Sequence, residues 1–140
     1  MIKYEYFDVT ADIGFNAYGI NLNEAFENAS LAIFNIISDT DNINPDNEFK
    51  FTIVSEDKVS LLYDYLEELL FYHEVEFMLF SDFTVKIKKT NNNYQLNAII
   101  KGEEINWDKH ERKSEIKAIT FHQMEIKEKE YVELKTIVDL

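Results

Sequence analysis

Tyr4-Glu5-Tyr6-Phe7-Asp8-Val9-Thr10-Ala11-Asp12-Ile13-Gly14 stands near the start of a 140-residue chain, and its reading decides how the rest is assembled. Ile2, Tyr4 and Tyr6 alternate with Lys3 and Glu5, the period-two pattern of a strand with one wet face. Asp8 to Gly14 interrupts that strand. Phe15 to Tyr18 follows as a second short one, with Gly19 free to turn. At the far end, Val138-Asp139-Leu140 again puts a carboxylate where an apolar strand runs out. If the two stretches meet, they form an oxygen-rich pocket at one end of a small body of strands and helices.

Between them the pattern changes period. Asn21 followed three residues later by Glu24 resembles a capping box, with Asn as the cap. Leu22, Ala25, Phe26, Ala29, Ile33, Ile36 and Ile37 then fall at helical spacing, which predicts a helix to about Ser38. Asp39 to Asn47, with three Asp, three Asn and the only Pro, reads as a loop. Phe49 to Val54 alternates again. A second amphipathic helix opens at Ser55 or Asp57, carries Val59, Leu62, Tyr65, Leu66, Leu69 and Leu70 on one stripe, and ends before about Phe77. Glu67, Glu68, Glu74 and Glu76 read as its wet side.

The remainder reads as strands. Phe83, Val85 and Ile87 alternate with polar residues, as do Tyr94, Leu96, Ala98 and Ile100. Asn91-Asn92-Asn93 between them tolerates left-handed turn geometry, so a hairpin is expected. Gly102 to Ser114 is charged and irregular around Trp107. Ile116 to Ile126 and Val132 to Leu140 read as two further strands in a hairpin about Glu128 to Glu130. There is no internal repeat, low-complexity segment or linker. Residues 1–140 are therefore read as a single α+β domain, with mostly antiparallel or mixed sheet packed by two amphipathic helices.

Composition sets outer limits. A chain of this length buries roughly two-thirds of the surface it would expose unfolded, and an apolar fraction of 46%, with eleven Phe and eight Tyr, supplies a core. Zero Cys removes disulfides, thiolate metal sites and Cys nucleophiles. Twenty-seven acids against fourteen bases give a formal charge of −13. Nucleic acid meets repulsion on such a surface, whereas a cation or a basic protein is favoured. No apolar run is long enough to span a membrane and none forms a signal segment, so a soluble, cytoplasmic protein without a membrane partner is expected.

Few residues invite chemistry. Asp8, Asp12, Asp139 and the terminal carboxylate are hard oxygen donors of the kind Ca²⁺ and Mg²⁺ prefer. By spacing alone, an Asp beside Thr and Gly more often bonds its own backbone, and Asp139 is by default solvated at a frayed end. Lys117, a lone cation in an apolar strand, could reach a phosphate as a point charge or merely snorkel to the surface. His122 could be a base, a ligand or a satisfied strand histidine, while His73 and His110 read as surface residues. No phosphate-binding glycine loop, dinucleotide fingerprint, nucleophile triad or zinc spacing is present. A metal-dependent hydrolase therefore lacks a clear nucleophile or base beside the carboxylates, whereas an acidic binding module remains open.

Five separated blocks carry a resemblance. Tyr4 to Gly14, Glu24 to Ala29, Leu79 to Phe83, Glu115 to His122 and Val138 to Leu140 occur in the order of the archease family and cover nearly the whole chain. The resemblance implies an intertwined strand-helix-strand-strand fold. It also implies a protein cofactor, not an enzyme, that assists the RtcB-type tRNA-splicing RNA ligase by promoting guanylylation of the ligase histidine, restoring turnover and widening the nucleotides accepted. An alternative family role is chaperone-like modulation of a tRNA methyltransferase. By position, the family metal site falls on Asp12, Asp139 and Leu140, with a divalent ion, Ca²⁺ or Mg²⁺/Mn²⁺. Lys117 matches a lysine tied to activation of the partner, and Asp8 and His122 become supporting residues. One departure stands out: Val9 occupies a position where many members carry His.

Overall fold

The opening stretch forms a hairpin longer than its sequence suggests. In the computed structural model, which describes residues 1–140, β1 (Tyr4–Val9) and β2 (Asp12–Gly19) pair antiparallel from Tyr4 opposite Ala17 to Val9 opposite Asp12. Only Thr10 and Ala11 connect them, and Ala11 takes the left-handed conformation (φ 63°) that tight hairpins use. Asp8 to Gly14 is thus mostly strand instead of an interruption. Gly14 lies mid-strand because the Phe7 ring fills the space a Cβ would need. Gly19 is likewise the last residue of a strand, opposite Val132, where a Cβ would strike the backbone of Ala25.

Both helices start where capping chemistry places them. In α1 (Leu22–Ile37), Asn21 Oδ1 accepts the Glu24 N–H at 2.9 Å, and Glu24 Oε1 accepts the Ile20 N–H at 3.0 Å. In α2 (Lys58–Val75) the cap is Asp57, whose Oδ1 accepts the Ser60 N–H at 2.7 Å. Each such cap is worth about 1 kcal/mol. Between α1 and the next strand, Asp39 caps a single 3-10 turn over Thr40–Asn42.

Two antiparallel sheets complete the molecule. β3 (Asn47–Ser55), β4 (Met78–Thr90) and β5 (Asn93–Glu104) form one, in the order β3-β5-β4. Both β4 and β5 outrun their apolar alternation, and β4 absorbs a bulge between Phe80 and Asp82. The Asn91-Asn92 turn does not use left-handed backbone; besides Ala11, the residues that do are Phe77 and Gln123. The second sheet runs β1-β2-β8-β6, with β8 (Val132–Asp139) between β2 on one side and both β6 (Ala118–Ile119) and β7 (Glu125–Glu128) on the other. Ile116 to Ile126 is therefore not one strand. It breaks at Phe121 to Met124, where the Met124 N–H bonds back to the Phe121 carbonyl and Gln123 turns left-handed (φ 56°).

The unit β3-α2-β4-β5 is inserted between α1 and β6, and α1 packs on both β2 and β4. The free edge of β4 is closed by side chains of α1: Glu27 accepts the Val85 N–H at 2.8 Å and Asn23 the Ile87 N–H at 2.9 Å. That arrangement covers an edge that could otherwise pair with another chain. Thirty buried residues form one contiguous core, with Phe15, Phe26, Phe34, Tyr65 and Phe80 among its largest members. Tyr65 Oη and Ser30 Oγ, 2.6 Å apart, tie the two helices inside it. No helix is long and apolar enough to cross a membrane.

Candidate functional site

Register, not loop geometry, builds the site. Asp12 on β2 lies opposite Asp139 on β8, Asp139 lies opposite Ala118 on β6, and Val9 on β1 lies opposite Asp12. Directly opposed residues of antiparallel strands share a face. Val9, Asp12, Asp139 and Ala118 therefore make one row across the end of the sheet. The neighbouring row contains Val138 and Ile119, both buried in the core, so the carboxylate row faces the other way, outward. Asp12 and Asp139 are half-buried, and neither side chain has a hydrogen bond or ion pair within the chain.

The end of β8 is not frayed. The Asp139 carbonyl accepts the Lys117 N–H at 2.8 Å, and the Ile137 carbonyl accepts both the N–H and hydroxyl of Thr120. Leu140 follows directly and is itself half-buried against the core. These bonds place Lys117, exposed and free of any ion pair, next to the carboxylate row.

The other candidates fall elsewhere. Asp8 pairs with Ile13 and points to the opposite side from Asp12. His122 is exposed in the turn between β6 and β7, where its Nε2 lies 3.3 Å from the Gln123 amide nitrogen, so it is not a strand histidine. His73 is half-buried, donating from Nδ1 to the Met78 carbonyl at 2.8 Å. His110 is only 3% exposed, contrary to the surface position expected of a charged loop. Its Nδ1 accepts the Asn106 N–H, which leaves Nε2 to face Glu103 at 3.1 Å. Burial raises the Glu103 carboxyl, but hydrogen bonds from Lys109, the Asn44 N–H and His110 outweigh it and hold the group at about 2. That cluster anchors the long loop after β5.

Beside the carboxylate row, Phe7 lies over Gly14, and Ile137 in the same row is buried outside the contiguous core. An isolated glycine in a period-two pattern signals such a close approach. Farther along this face, Phe7, Asn16, Glu125, Lys127, Glu133 and Lys135 line an open cavity of about 360 Å³. Next to it, burial together with a hydrogen bond to Glu5 raises the Tyr18 hydroxyl above its ordinary range.

Chemically, the row offers two free carboxylates, with no histidine or sulfur donor in it. No three His, Cys, Asp or Glu side chains come together to hold a metal. A hard cation that accepts an all-oxygen set and completes its shell with water fits this donor chemistry; a zinc-type site does not.

Residues 4–140 match the Archease protein family (MTH1598/TM1083). The chain is 50% identical over 141 residues to the protein archease of Methanothermobacter thermautotrophicus, covering all of both. It is 44% identical over 126 residues to the protein archease of Pyrococcus abyssi, covering 90% of this chain and 89% of that one. The solution structure of Methanobacterium thermoautotrophicum protein 1598 superposes with a TM-score of 0.89 at 50% identity over the whole of both chains. With a family match over residues 4–140, half of the residues identical to a relative over the whole of both chains and a shared fold over the same length, this chain belongs to the archease family.

Proposed function

We propose that this chain is an accessory activator of an RtcB-type tRNA-splicing RNA ligase. It promotes guanylylation of the ligase histidine, restores multiple turnover and widens the nucleotides accepted. It acts as a protein cofactor and performs no chemistry of its own. The observation that carries the reading is the register that sets Asp12 opposite Asp139 on an outward face, beside the ordered Leu140. Asp12, Asp139 and the Leu140 carboxylate hold a divalent ion, Ca²⁺ or Mg²⁺/Mn²⁺. When bound, such an ion supplies positive charge to phosphate oxygens during nucleotidyl transfer. The chain's own residues position the tip: Thr120 and the Lys117 backbone clamp the end of β8, and the Lys117 side chain acts toward the partner.

The charge balance supports the partner class. A ligase that holds RNA and GTP exposes a basic cleft, and a chain of formal charge −13 is steered toward it by complementary potential. The test is ligase guanylylation and products per ligase molecule with Asp12→Ala, with Asp139→Ala, and with a chain extended past Leu140, which moves the terminal charge while keeping every side chain. Loss of activation in all three is expected. Full activation by both Asp variants would overturn the metal tip. Unchanged function in EDTA, together with co-purification with a tRNA methyltransferase, would favour the chaperone-like role. Turnover of a phosphoester by the isolated chain would show an enzyme instead.

A further inference from the structure

The C-terminal end of α2 breaks a local rule. Glu76 caps the helix in ordinary helical geometry, but the next residue, Phe77, is left-handed (φ 56°). Helices commonly give that position to glycine, because a Cβ is strained there. Here a bulky aromatic occupies it, and the residue remains 63% exposed instead of joining the core. The backbone role of the position, a carbonyl that accepts the Ile105 N–H at 2.8 Å, needs no ring at all. Strain kept without a packing gain points to a use outside the folded chain.

Phe77 is not alone. Phe71 and Val75, four residues apart and so on one helix face, are 47% and 52% exposed. Beneath them Tyr72 stacks among Phe49, Phe51 and Phe80, and the Phe71 ring meets its edge at 5.7 Å. The platform is therefore fixed by aromatic packing that is half-buried at Tyr72, Phe49 and Phe51 and fully buried at Phe80. Its rim is acidic: Glu74, Glu76 and Glu104 are exposed and form no ion pair, and Glu104 lies opposite Met78, the residue after Phe77. An acidic rim repels a second copy of the same face and repels nucleic acid. It complements a basic protein surface that presents an apolar side chain.

We propose that Phe71, Val75 and Phe77, rimmed by Glu74, Glu76 and Glu104, form a docking surface for a basic protein partner. Resting on the function proposed above, that partner is the RNA ligase. The apolar centre supplies the residence time and the carboxylates supply the approach.

The ligase is titrated with the intact wild-type chain and with Phe77→Gly, Phe71→Gln and a Glu74→Gln/Glu76→Gln double variant, reading Kd, its salt dependence and Tm. Phe77→Gly relieves the strained backbone, so its Tm holds or rises while its Kd weakens about 10-fold or more, as for an aromatic hot spot. Phe71→Gln weakens binding similarly, and the double Glu variant slows association and flattens the salt dependence. Wild-type activation combined with an unchanged Kd for Phe77→Gly would overturn the docking surface alone. A fall in Tm for Phe77→Gly would make Phe77 a packing residue and overturn it too. A wild-type dimer that Phe77→Gly abolishes would assign the face to a second copy. Absence of any wild-type binding or activation would instead defeat the functional reading on which the partner rests.

Discussion

Replacing Asp12 by Asn should reverse its effect on stability according to whether a divalent cation is present. Opposed residues of an antiparallel pair hold their Cβ atoms about 4.5–5.5 Å apart, and Asp12 and Asp139 are such a pair. With carboxylates about 6 Å apart in a water-like dielectric, their repulsion is about 0.7 kcal/mol. Asp12→Asn removes it. In EDTA the variant should therefore melt about 2 °C above wild type, taking roughly 0.3 kcal/mol per degree as the unfolding entropy of a chain this long. In the presence of cation the order inverts. A ligand at about 100 times its Kd adds ~2.7 kcal/mol to the native state, or about 9 °C by the same slope. Wild type gains that increment, and the variant, missing one of the two opposed side-chain carboxylates of the three-carboxylate site, gains little. Calorimetric melts in EDTA, Ca²⁺ and Mn²⁺ read both halves without any ligase. The same rank order in all three solutions would refute the reasoning, because it would mean either no repulsion or no shared cation.

Two further outcomes test the packing beside this row and the cluster that anchors the loop after β5. Gly14→Ala must displace the Phe7 ring, with a cost of about 1–3 kcal/mol as for overpacking elsewhere; the Gly14→Ala/Phe7→Ala pair in urea denaturation should recover part of that loss, and strictly additive losses would show that the ring is not what the methyl meets. Glu103, held at about 2 against an ordinary 4.5, has a depressed native pKa, so its contribution is complete above pH 4.5 and fades as pH falls toward 2. Unscreened, that difference is about 3 kcal/mol, and the exposure of its partner Lys109 reduces it to about 1.5; Glu103→Gln should lose this at pH 7, with the gap from wild type closing between pH 4.5 and pH 2. A gap independent of pH would refute the assignment.

The local parts of the fold were legible because local chemistry determines them. The Asn21 and Asp57 caps, the helical stripes and the period-two runs all lie where side-chain spacing puts them. Interruptions were harder to read. Ile116 to Ile126 has strand-like apolar spacing, but β8 is paired by two short pieces, and the turn at Gln123 carries no glycine or proline to announce it. His110 reads as surface because its neighbours are charged. Its burial comes from distant bonds, among them those from the Lys113 and Ser114 N–H groups to the last carbonyls of α1. At Gly14 a turn residue and a strand residue over which a ring folds look alike in one dimension.

For the carboxylate row, periodicity could give only a face. It could not give the register that sets Asp12 against Asp139 and not against its neighbour, and a one-residue slip would turn Asp139 to the other side of the sheet. That register depends on everything between the two strands. β8 lies inside its sheet, and its partner β2 is separated from it by α1, the whole β3-α2-β4-β5 unit, β6 and β7. Contacts so distant in sequence form after the local ones, since loop closure must be paid first. Asp12 and Asp139 consequently become neighbours only once β2 and β8 have paired across that span. Their pairing is at once the candidate site and a report that β8 has docked in its sheet, so a partner that recognises the row distinguishes such a chain from one in which β8 is still undocked.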